Sequence, residues 1–292
     1  MKKISLGVVF LIILLFSACS FMDTNEEPKD EDFLYTDLSE KWTYRPKTKL
    51  MLFESNGVQL YSRILMASGR TKKPTIVFLH GMPGFEKNTD IGQALRRGGY
   101  NCVYFSYTGS WGNKGVFNLK NSINDTEALL NNLKLNSDSY NIDMENIFLC
   151  GFSMGADVAF LTTNKCEDVK GVISISPWNA YTALNKKTDK MKKSYANWLE
   201  KVYGINIPNG KEFMDEIMNN SNFSLKFIEK LQTSNLHLFQ NASEKSSFLK
   251  DVHVKNKDKI IVVNACDHSF SNKRIATANI IYKWIKENSV MK

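Results

Sequence analysis

The chain has 292 residues, of which 43% are hydrophobic and 23% are charged, and its formal net charge is +8 at pH 7. This length and composition are enough for one sizeable core, and the absence of internal repeats or low-complexity segments favours a single α/β domain over a repeat array. The positive charge does not indicate nucleic-acid binding, because no recognised binding motif accompanies it.

The first 18 residues predict a signal peptide. Two lysines precede an apolar run of about a dozen residues, which is too short for a comfortable membrane span. The sequence FSACS follows at residues 16–20, and it resembles the lipobox of bacterial lipoproteins. That resemblance implies a lipid anchor on Cys19, whereas the alternative is an ordinary cleaved signal with an incidental cysteine. Both interpretations predict that the protein leaves the cytoplasm, and the lipid anchor predicts a location in the bacterial cell envelope.

Residues 19–45 are acidic and contain few aliphatic residues before Phe33 and Leu34. Such a composition predicts a solvated tether, so we expect the folded domain to begin after it. A basic run, NKKTDKMKK at residues 185–193, is interpreted as a solvated helix face that could also rest on anionic head groups.

The domain is predicted to open with an antiparallel hairpin. Residues 49–67, KLMLFESNGVQLYSRILMA, contain two strand-like runs joined at Asn56-Gly57. This dipeptide readily supplies the two positive φ angles of a type I′ turn.

The following segment alternates strand-like and helix-like runs. Four short, almost wholly apolar runs predict strands buried on both faces, at residues 75–80, 101–107, 146–151 and 171–177. Helix-length segments separate them, at residues 91–99, 122–135 and 155–165. The order predicts an α/β fold with a doubly wound, mostly parallel sheet and right-handed crossovers.

Residues 179–235 interrupt this alternation with a long, basic, aromatic and helix-like segment. We interpret it as an inserted helical cap, so that the core comprises residues 46–178 and 236–292. In the second part of the core, strands are predicted at residues 236–240 and 259–265, and helices near 246–250 and at 272–288.

The motif Gly151-Phe152-Ser153-Met154-Gly155 has the pattern Gly-x-Ser-x-Gly. The motif alone is weak evidence, but here a strand-like run precedes it and a helix-like run follows it. Such a strand-to-helix turn exposes the serine hydroxyl above the sheet and places it near a helix N-terminus. Ser153 is therefore the candidate nucleophile.

Two further segments resemble the α/β-hydrolase superfamily. FLHGMPGFEKN at residues 78–88 follows the first predicted parallel strand, and YTGSWGNKG at 107–115 is similar to the YRGSWGxxG segment of prolyl-oligopeptidase-like and serine-aminopeptidase-like bacterial members. The resemblance implies an oxyanion hole formed by the backbone N–H groups of Met82 and Met154. Thr108 stands where those members usually have arginine.

The same resemblance implies a chain order of nucleophile, acid and histidine. His268, after the last predicted strand, has the expected position, whereas His80 belongs to the upstream loop and His237 and His253 are interpreted as structural. Aligning residues 236–246 to the family's Gly-x-x-Asp pattern places Glu244 at the acid, with Asp251 as the runner-up.

These residues predict a serine hydrolase that cleaves a carboxylic ester through an acyl-enzyme, without a metal or an organic cofactor. The expected partner is a small ester or a short peptide, and a membrane is contacted through the lipid anchor at Cys19. A peptidase and a catalytically silent binding lipoprotein are the alternatives. Phe85, Trp111 and Trp178 are candidate substrate contacts of an apolar acyl pocket.

Of the five cysteines, Cys102 and Cys150 lie in apolar runs where free buried thiols are expected, although export would permit a disulfide. The sequence predicts no oligomeric state.

Overall fold

A computed structural model describes residues 33–34, 44–226 and 228–290 of the chain. The predicted signal peptide and the predicted lipidation site at Cys19 lie outside the described residues. No helix in the described ranges combines the length and the apolar character needed to cross a membrane.

Eight strands and eight α-helices are assigned in the described part of the chain, besides short 3-10 turns such as Ser221–Phe223 and Ile228–Lys230. The strands are β1 (Lys47–Ser55), β2 (Val58–Met66), β3 (Lys73–Leu79), β4 (Asn101–Phe105), β5 (Ile142–Phe152), β6 (Val169–Ile175), β7 (Ser234–Phe239) and β8 (Lys259–Val262). The helices are α1 (Thr89–Arg97), α2 (Leu119–Leu135), α3 (Met154–Thr163), α4 (Ala180–Asn185), α5 (Asp189–Leu199), α6 (Gly210–Met218), α7 (Ala242–Asp251) and α8 (Arg274–Asn288).

The strands form one sheet in the order β1-β2-β4-β3-β5-β6-β7-β8. The hairpin of β1 and β2 is antiparallel, β2 pairs antiparallel with β4, and all other neighbours are parallel. Asn56 and Gly57, with φ of 48° and 76°, make the tight hairpin turn that the sequence predicts. The prediction of a doubly wound, mostly parallel sheet is confirmed.

Apolar side chains cover both faces of the sheet. In β3, Val77 and Leu79 join the larger core cluster, which includes residues of α2, α3 and the helices between β6 and β7. Ile76 and Phe78 join the second cluster, which includes residues of α1 and α8. A strand buried on both faces needs apolar residues at successive positions, which explains why the central strands do not alternate with polar residues.

Helices α4, α5 and α6 lie between β6 and β7, within residues 179–235. Backbone hydrogen bonds join this segment to the chain that follows β4: Trp111 N–H donates to the Gly204 carbonyl at 2.7 Å, and Asn206 N–H donates to the Gly109 carbonyl at 2.7 Å. The inserted segment is therefore attached directly to the carboxyl end of the sheet.

Phe33 and Leu34 belong to the folded core, although they lie within the predicted acidic tether of residues 19–45. Phe33 is fully buried, and its ring centroid lies 4.6 Å from that of Tyr282 in α8. Its carbonyl accepts a hydrogen bond from Arg97 Nε at 2.8 Å. The prediction fails at this pair because two apolar side chains in an acidic segment are sufficient to dock between α1 and α8.

The side chain of Arg274, in the first turn of α8, joins the two loops that follow β3 and β8. Arg274 Nη1 donates to the Ser269 carbonyl at 2.7 Å, on the segment that carries His268. Its remaining bonds reach the end of the loop that carries Met82, at Asn88 (2.9 Å) and Glu86 (3.3 Å), and the first turn of α1, at Asp90 (2.7 and 2.6 Å).

The bidentate pair with Asp90 is the strongest part of this connection, because guanidinium and carboxylate groups match in both charge and geometry. Burial alone would raise the pKa of Asp90, but the hydrogen bonds and the charge of Arg274 outweigh it, and the pKa lies below its ordinary value. One side chain thus fixes both loops at the carboxyl end of the sheet.

Replacing Phe33 by alanine is expected to lower the free energy of unfolding by about 3–5 kcal/mol, because it leaves a cavity in a closed core. Chemical denaturation of the full chain measures this change. Leu50→Ala is the matched control, because Leu50 is exposed on β1. Equal stability of both variants and the wild type would contradict the docking of Phe33.

Replacing Arg274 by glutamine is expected to lower the free energy of unfolding by about 1–3 kcal/mol, since it removes hydrogen bonds between charged groups that are partly shielded from water. Lys259→Gln is the control, because Lys259 makes one exposed ion pair with Glu287, and such pairs contribute about 0–1 kcal/mol. A smaller loss for Arg274→Gln than for Lys259→Gln would refute the bridging role.

Candidate active site

Ser153 occupies the turn between β5 and α3, as the motif predicts. Its φ and ψ are 53° and −119°, which is a strained conformation for a residue with a side chain. Its N–H donates to the Ile175 carbonyl at the end of β6, at 2.9 Å. This bond and the start of α3 hold the strained turn, and the side chain remains half-buried at the carboxyl end of the sheet.

The two glycines of the motif are required by the close approach of backbone atoms. A Cβ at Gly151 would lie 2.2 Å from the Gly155 carbonyl oxygen, and a Cβ at Gly155 would lie 2.1 Å from the Leu79 carbonyl oxygen. Neither backbone oxygen can move away without breaking β3 or α3. The pattern Gly-x-Ser-x-Gly is therefore a packing requirement of this turn.

The loop after β3 passes directly beside Ser153. A Cβ at Gly81 would lie 2.9 Å from Ser153 Cβ, so Gly81 allows the closest part of this loop to pack on the serine. Among the hydrogen bonds of the described residues, none uses the backbone N–H of Met82 or Met154. Met154 is the first residue of α3, where the helix dipole favours negative charge.

His80 is buried beneath this loop. Its Nδ1 lies 2.7 Å from the Gly81 carbonyl, and its ring centroid lies 4.4 Å from that of Tyr107. Burial lowers the pKa of His80 to about 4, so the imidazole is neutral at pH 7. A neutral ring can donate from Nδ1 to the carbonyl, which supports the backbone just before Met82.

His268 follows β8 and is exposed. It lines the same cavity as Ser153 and Glu244, and its ring centroid lies 5.0 Å from that of Phe152. Within the described ranges, His268 makes no hydrogen bond to either residue. Catalytic hydrogen bonds are often formed fully only when substrate is bound, so the open arrangement is compatible with a catalytic base.

Glu244 lies in the first turn of α7, immediately after β7. Asn241 caps this helix and accepts the Glu244 N–H at 2.8 Å, while the Glu244 carboxylate accepts the Gln240 N–H at 2.8 Å and the Ser176 hydroxyl at 3.4 Å. Cys266 Sγ lies 3.9 Å from the Gln240 carbonyl. The segment that carries His268 therefore lies against the segment that positions Glu244.

Asp251, the other acid candidate, also lines the cavity but lies at the far end of α7. Seven residues of helix separate the two acids by about 10 Å along the helix axis. Asp251 forms an ion pair with Lys186 at 2.7 Å. The structure thus places Glu244, rather than Asp251, beside the carboxyl end of β7.

Asp157 is a site-forming residue that the sequence analysis missed. It is buried within α3, and its carboxylate accepts the N–H groups of Asn179 (3.0 Å) and Ala180 (2.6 Å). Burial raises the pKa of Asp157 to about 7 despite these two bonds. The only signal in the sequence is an acid within an otherwise apolar helix. Asp157 fixes the start of α4, which forms one wall of the cavity.

The cavity has a volume of about 370 Å³. Its lining consists of Ser153, Pro177, Trp178, Asn179, Thr182, Ala183, Lys186, Glu244, Ser247, Phe248, Asp251 and His268. Eight of these twelve residues are polar by type, while Pro177, Trp178, Ala183 and Phe248 contribute apolar surface to the lining. Trp178 lies in this lining, whereas Phe85 and Trp111 do not. The rings of Phe85 and Trp111 pack against each other at the surface, with centroids 5.3 Å apart.

The other residues considered from the sequence, among them His237, His253 and Thr108, lie outside the cavity lining. His237 is fully buried, 3.0 Å from the Ser174 hydroxyl and 3.6 Å from the Asp258 carboxylate, and His253 is exposed. Thr108 donates to the buried Asp125 through its N–H (2.6 Å) and its hydroxyl (3.0 Å).

The four cysteines in the described ranges are free, and no group of three or more His, Cys, Asp or Glu residues there could hold a metal ion.

Comparison with known proteins agrees with this architecture. The family profile described as serine aminopeptidase, S33, matches residues 70–252, and no curated protein is significantly similar to the chain. Among solved structures, Est1E from Butyrivibrio proteoclasticus with bound ferulic acid has a TM-score of 0.67 at 15% identity, covering 82% of this chain and 98% of its own.

Two other esterases show the same fold. An esterase from Pyrobaculum calidifontis has a TM-score of 0.62 at 14% identity, covering 82% of this chain and 85% of its own. A fungal esterase from Rhizomucor miehei has a TM-score of 0.59 at 16% identity, covering 83% and 84%. Since the family profile spans more than half of the chain and the fold agrees with it, the protein is a hydrolase and belongs to the serine aminopeptidase S33 family of the α/β-hydrolases.

Proposed function

We propose that this protein is a serine hydrolase that cleaves a carboxylic ester through an acyl-enzyme intermediate. The observation that carries the proposal is the packing of Gly81 on Ser153. It places the loop that contains the Met82 N–H beside a serine that has a strained backbone and lies at the N-terminus of α3. This arrangement combines a candidate nucleophile with two N–H groups that are free to bind an oxyanion. His268 and Glu244 line the same cavity.

In the proposed mechanism, Ser153 Oγ attacks the ester carbonyl while His268 accepts its proton. The N–H groups of Met82 and Met154 donate to the oxyanion, and Glu244 stabilises the imidazolium. The tetrahedral intermediate then releases the alcohol, which takes the proton from His268. A water molecule, deprotonated by His268, attacks the acyl-serine, and the carboxylic acid leaves as Ser153 is regenerated.

An ester substrate is favoured over a peptide by the structural relatives, of which several are named as esterases. The family description favours the second candidate, a peptidase that acts on short peptides. The third candidate, a binding lipoprotein without catalysis, is supported only by the absence of a hydrogen bond from His268 to Ser153 among the described residues.

We further propose that the enzyme acts in the bacterial cell envelope on a small-molecule substrate. The support is the amino-terminal sequence, with its short apolar run and the lipobox-like FSACS at residues 16–20. In this proposal Cys19 carries the lipid that holds the protein at the membrane.

Replacing Ser153 by alanine is expected to abolish ester hydrolysis and labelling by a fluorophosphonate probe, because both require the nucleophile. The assay compares p-nitrophenyl esters with aminoacyl and peptidyl p-nitroanilides. Ser247→Ala is the matched control, since Ser247 lines the same cavity and has no proposed role. Retained hydrolysis by Ser153→Ala would refute the nucleophile, faster cleavage of the amides would favour the peptidase, and an unlabelled wild type would favour the binding protein.

Replacing Glu244 by glutamine is expected to lower kcat by roughly 10³–10⁴-fold, as the loss of a triad carboxylate does in serine hydrolases. Asp251→Asn serves as the paired variant, and its kcat should fall by less than about tenfold because it alters an ion pair on the opposite end of α7. Steady-state kinetics on one ester decides between them. The reverse order of the two effects would assign the acid to Asp251.

A further inference from the structure

Three exposed aromatic side chains meet at the surface beside the proposed oxyanion loop. Phe85 follows β3, Trp111 follows β4, and Tyr203 lies between α5 and α6; these residues are 68%, 36% and 78% exposed. The Trp111 ring centroid lies 5.3 Å from that of Phe85 and 6.2 Å from that of Tyr203. We call these three residues the aromatic cluster. Contiguous apolar surface of this kind often marks a binding site.

The indole at the centre of the aromatic cluster is held rigidly. Trp111 Nε1 donates to the Pro83 carbonyl at 2.8 Å, and the backbone N–H of Trp111 donates to the Gly204 carbonyl at 2.7 Å. Gly84 and Gly204 pack so closely on the ring that a Cβ on either would lie within 2.9 Å of an indole atom. A ring that is already fixed loses little entropy when a ligand stacks on it.

The aromatic cluster lies close to the proposed scissile bond. Gly81 contacts Ser153, and Phe85 is only four residues further along the same loop. Four residues span at most about 14 Å when fully extended. None of the three aromatic residues lines the cavity that contains Ser153. A substrate that reaches both places therefore has one part in the cavity and another part outside it.

We propose that the aromatic cluster is a second substrate subsite, which binds an aromatic ring on one side of the scissile ester. Aromatic faces and edges stack favourably on one another, and the exposed Phe85 and Tyr203 rings flank the fixed indole. The substrate class is thus an ester with a ring-bearing acid or alcohol, rather than a simple aliphatic ester. This inference rests on the proposed function and specifies its substrate.

The experiment uses Phe85→Ser, Tyr203→Ser and the double variant, which leave the fixed Trp111 in place. Tyr61→Ser is the control, because Tyr61 is an exposed aromatic residue of the hairpin strand β2. The substrates are ethyl acetate, 3-phenylpropyl acetate, with its ring on the alcohol, and ethyl 3-phenylpropionate, with its ring on the acid. A pH-stat measures kcat/KM for each, and thermal unfolding verifies that the variants are folded.

The double variant is expected to lower the ratio of kcat/KM for one of the two phenyl esters to kcat/KM for ethyl acetate by at least about tenfold, which is the scale of one aromatic contact in a recognition site. The substrate that loses activity identifies the side of the ester that binds the aromatic cluster. Unchanged ratios of kcat/KM between the phenyl esters and ethyl acetate in the double variant would overturn the proposed subsite. The same result is expected if the exposed rings contact a membrane instead.

A failure of the proposed function gives a different result, because wild-type protein would then hydrolyse none of the esters. In that case, calorimetric titration of the wild type and the double variant with 3-phenylpropanol and 3-phenylpropionate tests the subsite without catalysis. Binding of either compound by the wild type that is lost in the double variant supports the subsite, and equal or absent binding refutes it.

Discussion

The strained backbone at Ser153 is the constraint on which the rest of the site depends. Its positive φ turns the chain sharply from β5 into α3, so the serine side chain leaves the sheet at its carboxyl end. This turn is possible only because Gly151 and Gly155 allow backbone atoms of β5, α3 and β3 to meet. The bond from the Ser153 N–H to the Ile175 carbonyl ties the strained turn to the end of β6.

The other site residues are positioned relative to this turn by single polar side chains. Asp157 holds the start of α4 against α3, and Arg274 joins the loop that carries Met82 to the segment that carries His268. Loops at the carboxyl end of a parallel sheet have no regular hydrogen-bond pattern of their own. Such buried or partly buried ionisable side chains therefore determine how the loops lie around Ser153.

The sequence predicts the sheet well because the physical signals that define it are local. Asn56-Gly57 specifies the hairpin turn, and the continuous apolar runs specify strands with two covered faces. The close packing around Gly151 and Gly155 is likewise encoded in a five-residue motif. The docking of Phe33 and the bridge made by Arg274 could not be predicted in this way, since each depends on residues that are distant in the chain and meet only in the fold.

The same distinction explains why the substrate contacts are harder to predict from the sequence than the sheet or the nucleophile. An aromatic residue has the same local signature whether it lines a cavity, fills a core or lies on a surface. Trp178 lies in the cavity because it follows β6, whereas Phe85 and Trp111 are drawn together by the loops after β3 and β4. Their neighbour Tyr203 comes from the segment inserted between β6 and β7. Because the loops and the insertion build the substrate surface jointly, its chemistry follows from their packing and not from the motif that supplies the nucleophile.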